Sequence, residues 1–226
     1  MKDYILDSVN EANDKIRQSY IHNKPILVLQ PFTNKLNFAS VIEQVEYMVP
    51  RMLMNNIDAF YVGNFEELTK DGRHFNAMYT DGAIYISPDQ DNERDLLDDI
   101  IHEIAHSLEG QYGDFIYGDG SIEREFIAKR RRLYYLIDKP TLDMVYYTNT
   151  DYDYKFDDHM YKDVGYDKLR ITSAELFYSP YAITSLREYW ANGFENYLLG
   201  DRRILKDISP ALYIKVTELL DLNEEY

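Results

Sequence analysis

Between Asp91 and Gly110 the chain carries a run whose apolar residues, Leu96, Leu97, Ile100, Ile101, Ile104, Ala105 and Leu108, cover much of a helix's circumference. Inside it stands His102-Glu103-Ile104-Ala105-His106. No other stretch restricts the fold as strongly. A helix this apolar has its second half buried, and burying two imidazoles and a carboxylate without a partner is costly. Residues four apart on a helix differ by about 40° in azimuth and about 6 Å in rise. Both imidazoles can therefore close on one metal ion, while Glu103 lies beside them, within reach of a water on that metal. The alternative, two surface histidines on an exposed helix, conflicts with Ile100, Ile101 and Ile104. Zinc is the expected metal, because it brings the pKa of a bound water to about 7 and a carboxylate can then take its proton.

Composition narrows the field. A chain of 226 residues, 45% hydrophobic and 28% charged, has the material for a core, which excludes a disordered, collagenous or fibrous protein. No apolar run reaches the roughly 18 residues of a spanning helix, so no membrane partner is expected. The N-terminus, Met1-Lys2-Asp3-Tyr4-Ile5-Leu6-Asp7, has acids where a signal peptide needs an apolar stretch. The protein is thus expected to work in the cytoplasm where it is made, or in a particle such as a virion assembled there. The absence of cysteine excludes a disulfide framework, thiol catalysis and a Cys-based zinc site. A net charge of −16 argues against nucleic acid as a partner, since phosphate neutralisation needs a basic face. The one basic cluster, Lys129-Arg130-Arg131-Arg132, reads as a solvated helix face paired with Glu123 and Glu125.

Along the chain, residues 3–20 show helical periodicity through Ile5, Val9, Ala12 and Ile16. A short apolar run at 25–30 predicts a buried strand, 39–55 a helix kinked or ended by Pro50, and 58–63 a second strand. Two β-prone runs, 74–79 and 83–87, flank Thr80-Asp81-Gly82 and predict a hairpin. The helix capped by Asp91 or Asn92 is expected to run to about Glu109 and stop at Gly110. Further helices are expected over 121–137, capped by Ser121, over 181–199, ended by Gly200, and over 210–222. The Asp/Tyr-rich stretch 141–178 has no clear period. The expected fold class is α+β: one domain over 1–226, with a β-rich lobe at 1–90 and a helical lobe at 91–226 that holds an insertion at 111–178.

A catalytic zinc normally has three protein ligands and one open position. The extension that would supply a third histidine fails, because Glu109 and Tyr112 stand where it wants Gly and His. A glutamate on a later helix is the alternative, and Arg187-Glu188-Tyr189-Trp190-Ala191-Asn192-Gly193-Phe194-Glu195 supplies one in an aromatic setting. Glu188 can bind the metal while Asn192, one turn on, orients a ligand from behind. Glu195 is the runner-up ligand, and His159 a weaker candidate.

Tyr181, followed seven residues later by Glu188 in Glu-Tyr-Trp-Ala-Asn-Gly-Phe, together with the HExxH run, resembles the gluzincin-type zincin metallopeptidases. Within these it is similar to the catalytic domain of anthrax lethal factor and the related Pro-Pro endopeptidases. The resemblance implies a zincin-like fold: a small mixed sheet with an edge hairpin, an active-site helix and C-terminal helices. It implies His102, His106 and Glu188 as zinc ligands and Glu103 as the base. Tyr181 would hydrogen-bond the developing oxyanion or the leaving amine. On one continuous helix, seven residues would also bring Tyr181 onto the Glu188 stripe. Two departures accompany the likeness: the interval from His106 to Glu188 is long, and Asn192 stands where the toxin has an acid.

Asn149, Asp151 and Asp153 imitate the start of a calcium loop, but Tyr154 and Met160 occupy the positions that need Gly and Glu, so no calcium site is expected. Two functions remain. The first is a zinc-dependent endopeptidase acting on an extended peptide or protein laid along the edge of the 74–87 hairpin, with basic flanking residues favoured. The second is a structural subunit of a large assembly, such as a phage virion ring or connector, or a homo-oligomer, built on a zincin fold. Its 22 tyrosines suit wet interfaces, with Tyr146, Tyr147, Tyr152, Tyr154, Tyr161 and Tyr166 alternating with acids. Under that reading the polar chain ends are held by neighbours.

Overall fold

The computed structural model describes residues 19–70, 73–137 and 140–223. The helical periodicity over 3–20 lies outside the described residues, apart from Ser19 and Tyr20, and so do residues 224–226, expected to be held by neighbours. The described chain is mixed α and β and forms two compact units, Met1–Leu108 and Glu109–Tyr226.

In the first unit, β1 (Ser19–Ile21), β2 (Lys24–Val28), β3 (Ala59–Val62), β6 (Ala77–Thr80) and β7 (Ala83–Ile86) form one sheet in the order β1-β2-β3-β7-β6. A separate two-stranded ribbon pairs β4 (Thr69–Lys70) with β5 (Arg73–His74). The β2–β3 and β3–β7 pairs are parallel, and the outer pairs are antiparallel. Alternation along the strands separates the two faces. Ile26, Phe60 and Ile84 lie in one cross-strand row and are fully buried. The row on the other face, Leu27, Tyr61, Tyr85 and Met78, is half-buried, with Tyr61 stacked on Tyr85.

The hairpin forms where expected. Asp81 and Gly82 both take positive φ, 49° and 80°, the two-residue turn that matches strand twist. It makes β6 an end strand of the sheet. Before it, α1 (Phe38–Met48) starts at Asn37, whose Oδ1 accepts from Ser40 N–H, and buries Val41 and Val45. Pro50 ends this helical stretch as expected, and a 3₁₀ turn, Arg51–Met54, follows.

The long helix, α2 (Glu93–Tyr117), departs from expectation at its far end. Asn92 caps it, its Oδ1 accepting from the N–H groups of Arg94 and Asp95. Leu96, Ile100, Ile101, Ile104 and Ala105 are fully buried, as their period requires. Gly110 does not stop it. A glycine ends a helix by adopting a left-handed conformation. Gly110 stays helical, and the left-handed residue is Gly120, at φ 67°. Buried Ile116 extends the apolar face past Gly110, so packing overrides glycine's weak preference against helix.

In the second unit, α3 (Ser121–Leu136) forms where a helix was expected, and α4 (Met144–Thr148), α5 (Tyr154–Asp158), a π-helical turn (His159–Gly165) and α6 (Tyr166–Ser173) occupy the stretch that lacked a clear period. They are followed by α7 (Leu186–Leu199), α8 (Arg202–Ile208) and α9 (Pro210–Asp221). Ser121 opens α3 without capping it; the Asp119 carboxylate accepts from its N–H instead.

The basic cluster is a solvated face only in part. Arg131 and Arg132 are exposed, but Lys129 and Arg130 are buried. The Arg130 guanidinium lies 3.8 Å from the centroid of the Phe156 ring and donates to the carbonyls of Tyr146 and Asn149, so its charge is met by π density and backbone dipoles. Lys129 Nζ donates to Tyr189 Oη and to Ser209 Oγ at 2.6 Å, and burial lowers its pKa to about 8. Tyr189 in turn donates to Glu125, which also accepts from the N–H groups of Ala211 and Leu212 at the start of α9. This network ties α3, α7 and α9 together. Tyr147, read above as an interface residue, is a core residue packed edge-on against Tyr134 and Phe156.

Two helical glycines test this packing in opposite directions. At Gly193 a Cβ would overlap the Leu212 side chain of α9, whereas at Gly113 it would meet nothing within 4 Å. Gly193→Ala should destabilise by about 1–3 kcal/mol through overpacking. Gly113→Ala should stabilise by about 0.5–1 kcal/mol, the usual difference inside a helix. Thermal unfolding of the two variants followed by circular dichroism measures both signs.

Candidate metal centre

His102, Glu103 and His106 stand on α2 because its apolar residues take the opposite positions into the core. The two imidazoles meet edge to face, with ring centroids 5.0 Å apart. Below them the helix is pinned: Ser107 Oγ donates to the Ile104 carbonyl, and Asn56 Nδ2 donates to the Ser107 carbonyl.

Glu103 is engaged with the sheet. Its Oε2 accepts from the backbone N–H of Tyr79 at 2.6 Å. The register explains why that N–H is available. Asn76 accepts from Ser87 N–H, and Met78 and Thr80 pair with Tyr85 and Ala83. Backbone groups alternate along an antiparallel strand, so Ala77 and Tyr79 direct theirs away from β7. The Tyr79 hydroxyl donates to the Asn56 carbonyl; burial, and then the Asp58 charge, raise its pKa. One strand therefore orients both the Glu103 carboxylate and the loop that holds Ser107.

Glu188 lies in the first turn of α7. Ser185 is the N-cap, and its Oγ accepts from the Glu188 N–H at 3.2 Å. That cap also separates Tyr181 from Glu188. Tyr181 belongs to a short 3₁₀ turn, Tyr181–Ile183, so the expected single helix over 181–199 is two elements. The spacing of seven residues consequently does not set their relative azimuth. Tyr181 is 43% exposed.

Three side chains come together. His102, His106 and Glu188 each offer a ligand atom, and the three atoms lie within 4.8 Å of one another, all on half-buried residues. Two imidazole nitrogens and a carboxylate oxygen at this separation can hold a metal ion. Among the described residues no other group of three His, Asp or Glu side chains does so. Glu195, the runner-up, is not in the group, and Asn192 is buried, its carbonyl accepting from Asn196 Nδ2. His159 is committed elsewhere: its Nδ1 meets Asp163 Oδ2 at 2.7 Å and Thr141 Oγ1 at 3.0 Å. Asp153, part of the imitation calcium loop, caps α5 by accepting from Phe156 N–H.

Sequence reasoning missed what surrounds the ligands. Arg187 Nε donates to Glu109 Oε2 at 2.6 Å, and Tyr117 has a buried hydroxyl beside that pair. Burial, and next the Glu109 charge, push the Tyr117 pKa up. The signal for Glu109 was its place one turn after His106; Tyr117 was masked by the expectation that Gly110 ends the helix.

Purified protein should carry about one metal ion per chain, and the His102→Ala/His106→Ala double variant none, by inductively coupled plasma mass spectrometry. No protein-family model, no curated protein and no solved structure matches this chain.

Proposed function

We propose that the chain is a zinc-dependent endopeptidase. The observation that supports this reading is the approach of His102, His106 and Glu188 ligand atoms to within 4.8 Å of one another. Imidazole and carboxylate donors suit zinc, and three protein ligands leave a position open. Zinc held there would supply Lewis acidity and a water that is nucleophilic near neutral pH.

The chain's own groups do the rest. Glu103 takes the proton of the attacking water. Its Oε2 is held by Tyr79 N–H, so the carboxylate is oriented before substrate arrives. A substrate peptide lies extended beside β6, an end strand, and exchanges backbone hydrogen bonds with Ala77. Tyr181 donates its hydroxyl to the oxyanion or the leaving amine. The net charge of −16 favours substrates with basic flanking residues. No helix among the described residues is long and apolar enough to cross a membrane.

Glu103→Gln keeps the shape and the bond from Tyr79 but cannot accept a proton. It should abolish peptide hydrolysis while metal content stays unchanged, measured on a peptide library with mass-spectrometric readout. Tyr181→Phe should cost less, about 10²-fold in kcat/KM. Full turnover in Glu103→Gln would overturn the mechanism.

A second reading, a homo-oligomer or a subunit of a large assembly such as a phage virion ring, is supported by a different observation. Large apolar side chains crowd the surface of the second unit: Tyr135 is 77% and Ile171 76% exposed, and Tyr152, Tyr154, Tyr161 and Tyr166 are exposed too. Isolated exposed apolar residues are ordinary, but this many in one stretch suit a wet interface. Native mass spectrometry at micromolar concentration should then give an oligomer, and a monodisperse monomer would sink this reading.

A further inference from the structure

We propose that the Glu109–Arg187 ion pair is the clasp that positions the third metal ligand, fixing where the Glu188 carboxylate meets His102 and His106; this rests on the metal reading above. Glu109 follows His106 by three residues on α2, and Arg187 immediately precedes Glu188 on α7. A single bond of 2.6 Å, from Arg187 Nε to Glu109 Oε2, therefore couples the helix that bears the histidines to the turn that bears the glutamate.

Three observations set this pair apart from an ordinary surface ion pair. The first is burial: the Glu109 side chain is only 15% exposed, although that of Arg187 is 63% exposed. The second is position. Arg187 stands in the first turn of α7, where the helix presents its positive end and a cation is unfavourable. A compensating carboxylate from another helix makes that placement tenable, and Glu109 is that carboxylate. The third is Tyr117, whose buried hydroxyl lies beside the Glu109 carboxylate. Burial raises its pKa, and the Glu109 charge raises it further.

Glu188 needs such direction. It stands three residues after the N-cap Ser185, the place from which a glutamate side chain can fold back onto the N-cap backbone N–H. The clasp acts on the adjacent residue and holds the start of α7 in the orientation from which the carboxylate reaches the two imidazoles. Glu109 and Arg187 are positioning residues, and neither is a ligand.

The test is zinc affinity of the full chain by competition with a chromophoric chelator, together with the thermal midpoint of the metal-free protein. Glu109→Gln and Arg187→Met should each weaken zinc binding by about 10–100-fold, the usual effect of removing a group that orients a ligand. The Glu109→Gln/Arg187→Met double variant should lose no more than either single one, because both remove the same interaction. Arg187→Lys, which keeps a cation at that place, should recover part of the loss. The metal-free midpoints should stay close to that of the parent, since the exposed guanidinium adds little to stability. Unchanged zinc affinity in both single variants would overturn the clasp, as would losses that simply follow a fall in metal-free stability. A parent chain that binds no zinc would overturn the metal reading instead, so the two failures are distinguishable.

Discussion

Three ligand atoms within 4.8 Å of one another, two on imidazoles and one on a carboxylate, impose a demand on everything around them. Half-buried polar groups give up solvation to come this close together. A cation relieves that demand; without one the arrangement has to be held by the scaffold. The surrounding structure consists largely of such holding devices. The Asn92 cap starts α2, and its buried isoleucines fix its rotation. Ser185 starts α7 three residues ahead of Glu188. Each device is worth about 1 kcal/mol alone, but they act on different degrees of freedom of the same few side chains.

The sheet serves the site through its edge. The β6–β7 register leaves the Tyr79 N–H directed away from its partner strand, and Glu103 takes it. A slip of one residue would turn that N–H inward and reverse both faces of the strand. The Asp81-Gly82 turn, which permits only the two-residue connection, is therefore part of what orients the carboxylate.

Two buried cations of the second unit sit against aromatic rings. Arg130 lies on Phe156 and Lys129 on Tyr189, with hydroxyls and carbonyls completing their hydrogen bonds. Tyrosine supplies an apolar face and a polar tip, so a ring and its hydroxyl can line a buried charge, as Tyr189 does for Lys129 beside the Glu125 carboxylate. Part of the high tyrosine count is thus core chemistry: Tyr147 and Tyr189 are buried, while Tyr161 and Tyr166 are not.

The sequence alone determined the hairpin, the buried face of α2 and the HExxH spacing, because each depends on residues a few positions apart; for a third ligand it offered Glu188 ahead of Glu195. Period, turn chemistry and side-chain donors are local properties and can be read locally. Only the tertiary structure decided where α2 ends, since burying Ile116 outweighed the glycine at 110. It alone separated Tyr181 from α7, through the Ser185 cap, and turned Lys129 and Arg130 inward from what reads as a solvated face. It alone joined Glu109 to Arg187 and brought Glu188 to the histidines. These partners lie far apart along the chain, and local pattern carries no information about which distant groups will meet. That is decided when apolar surfaces pack and each buried polar group must find its counterpart.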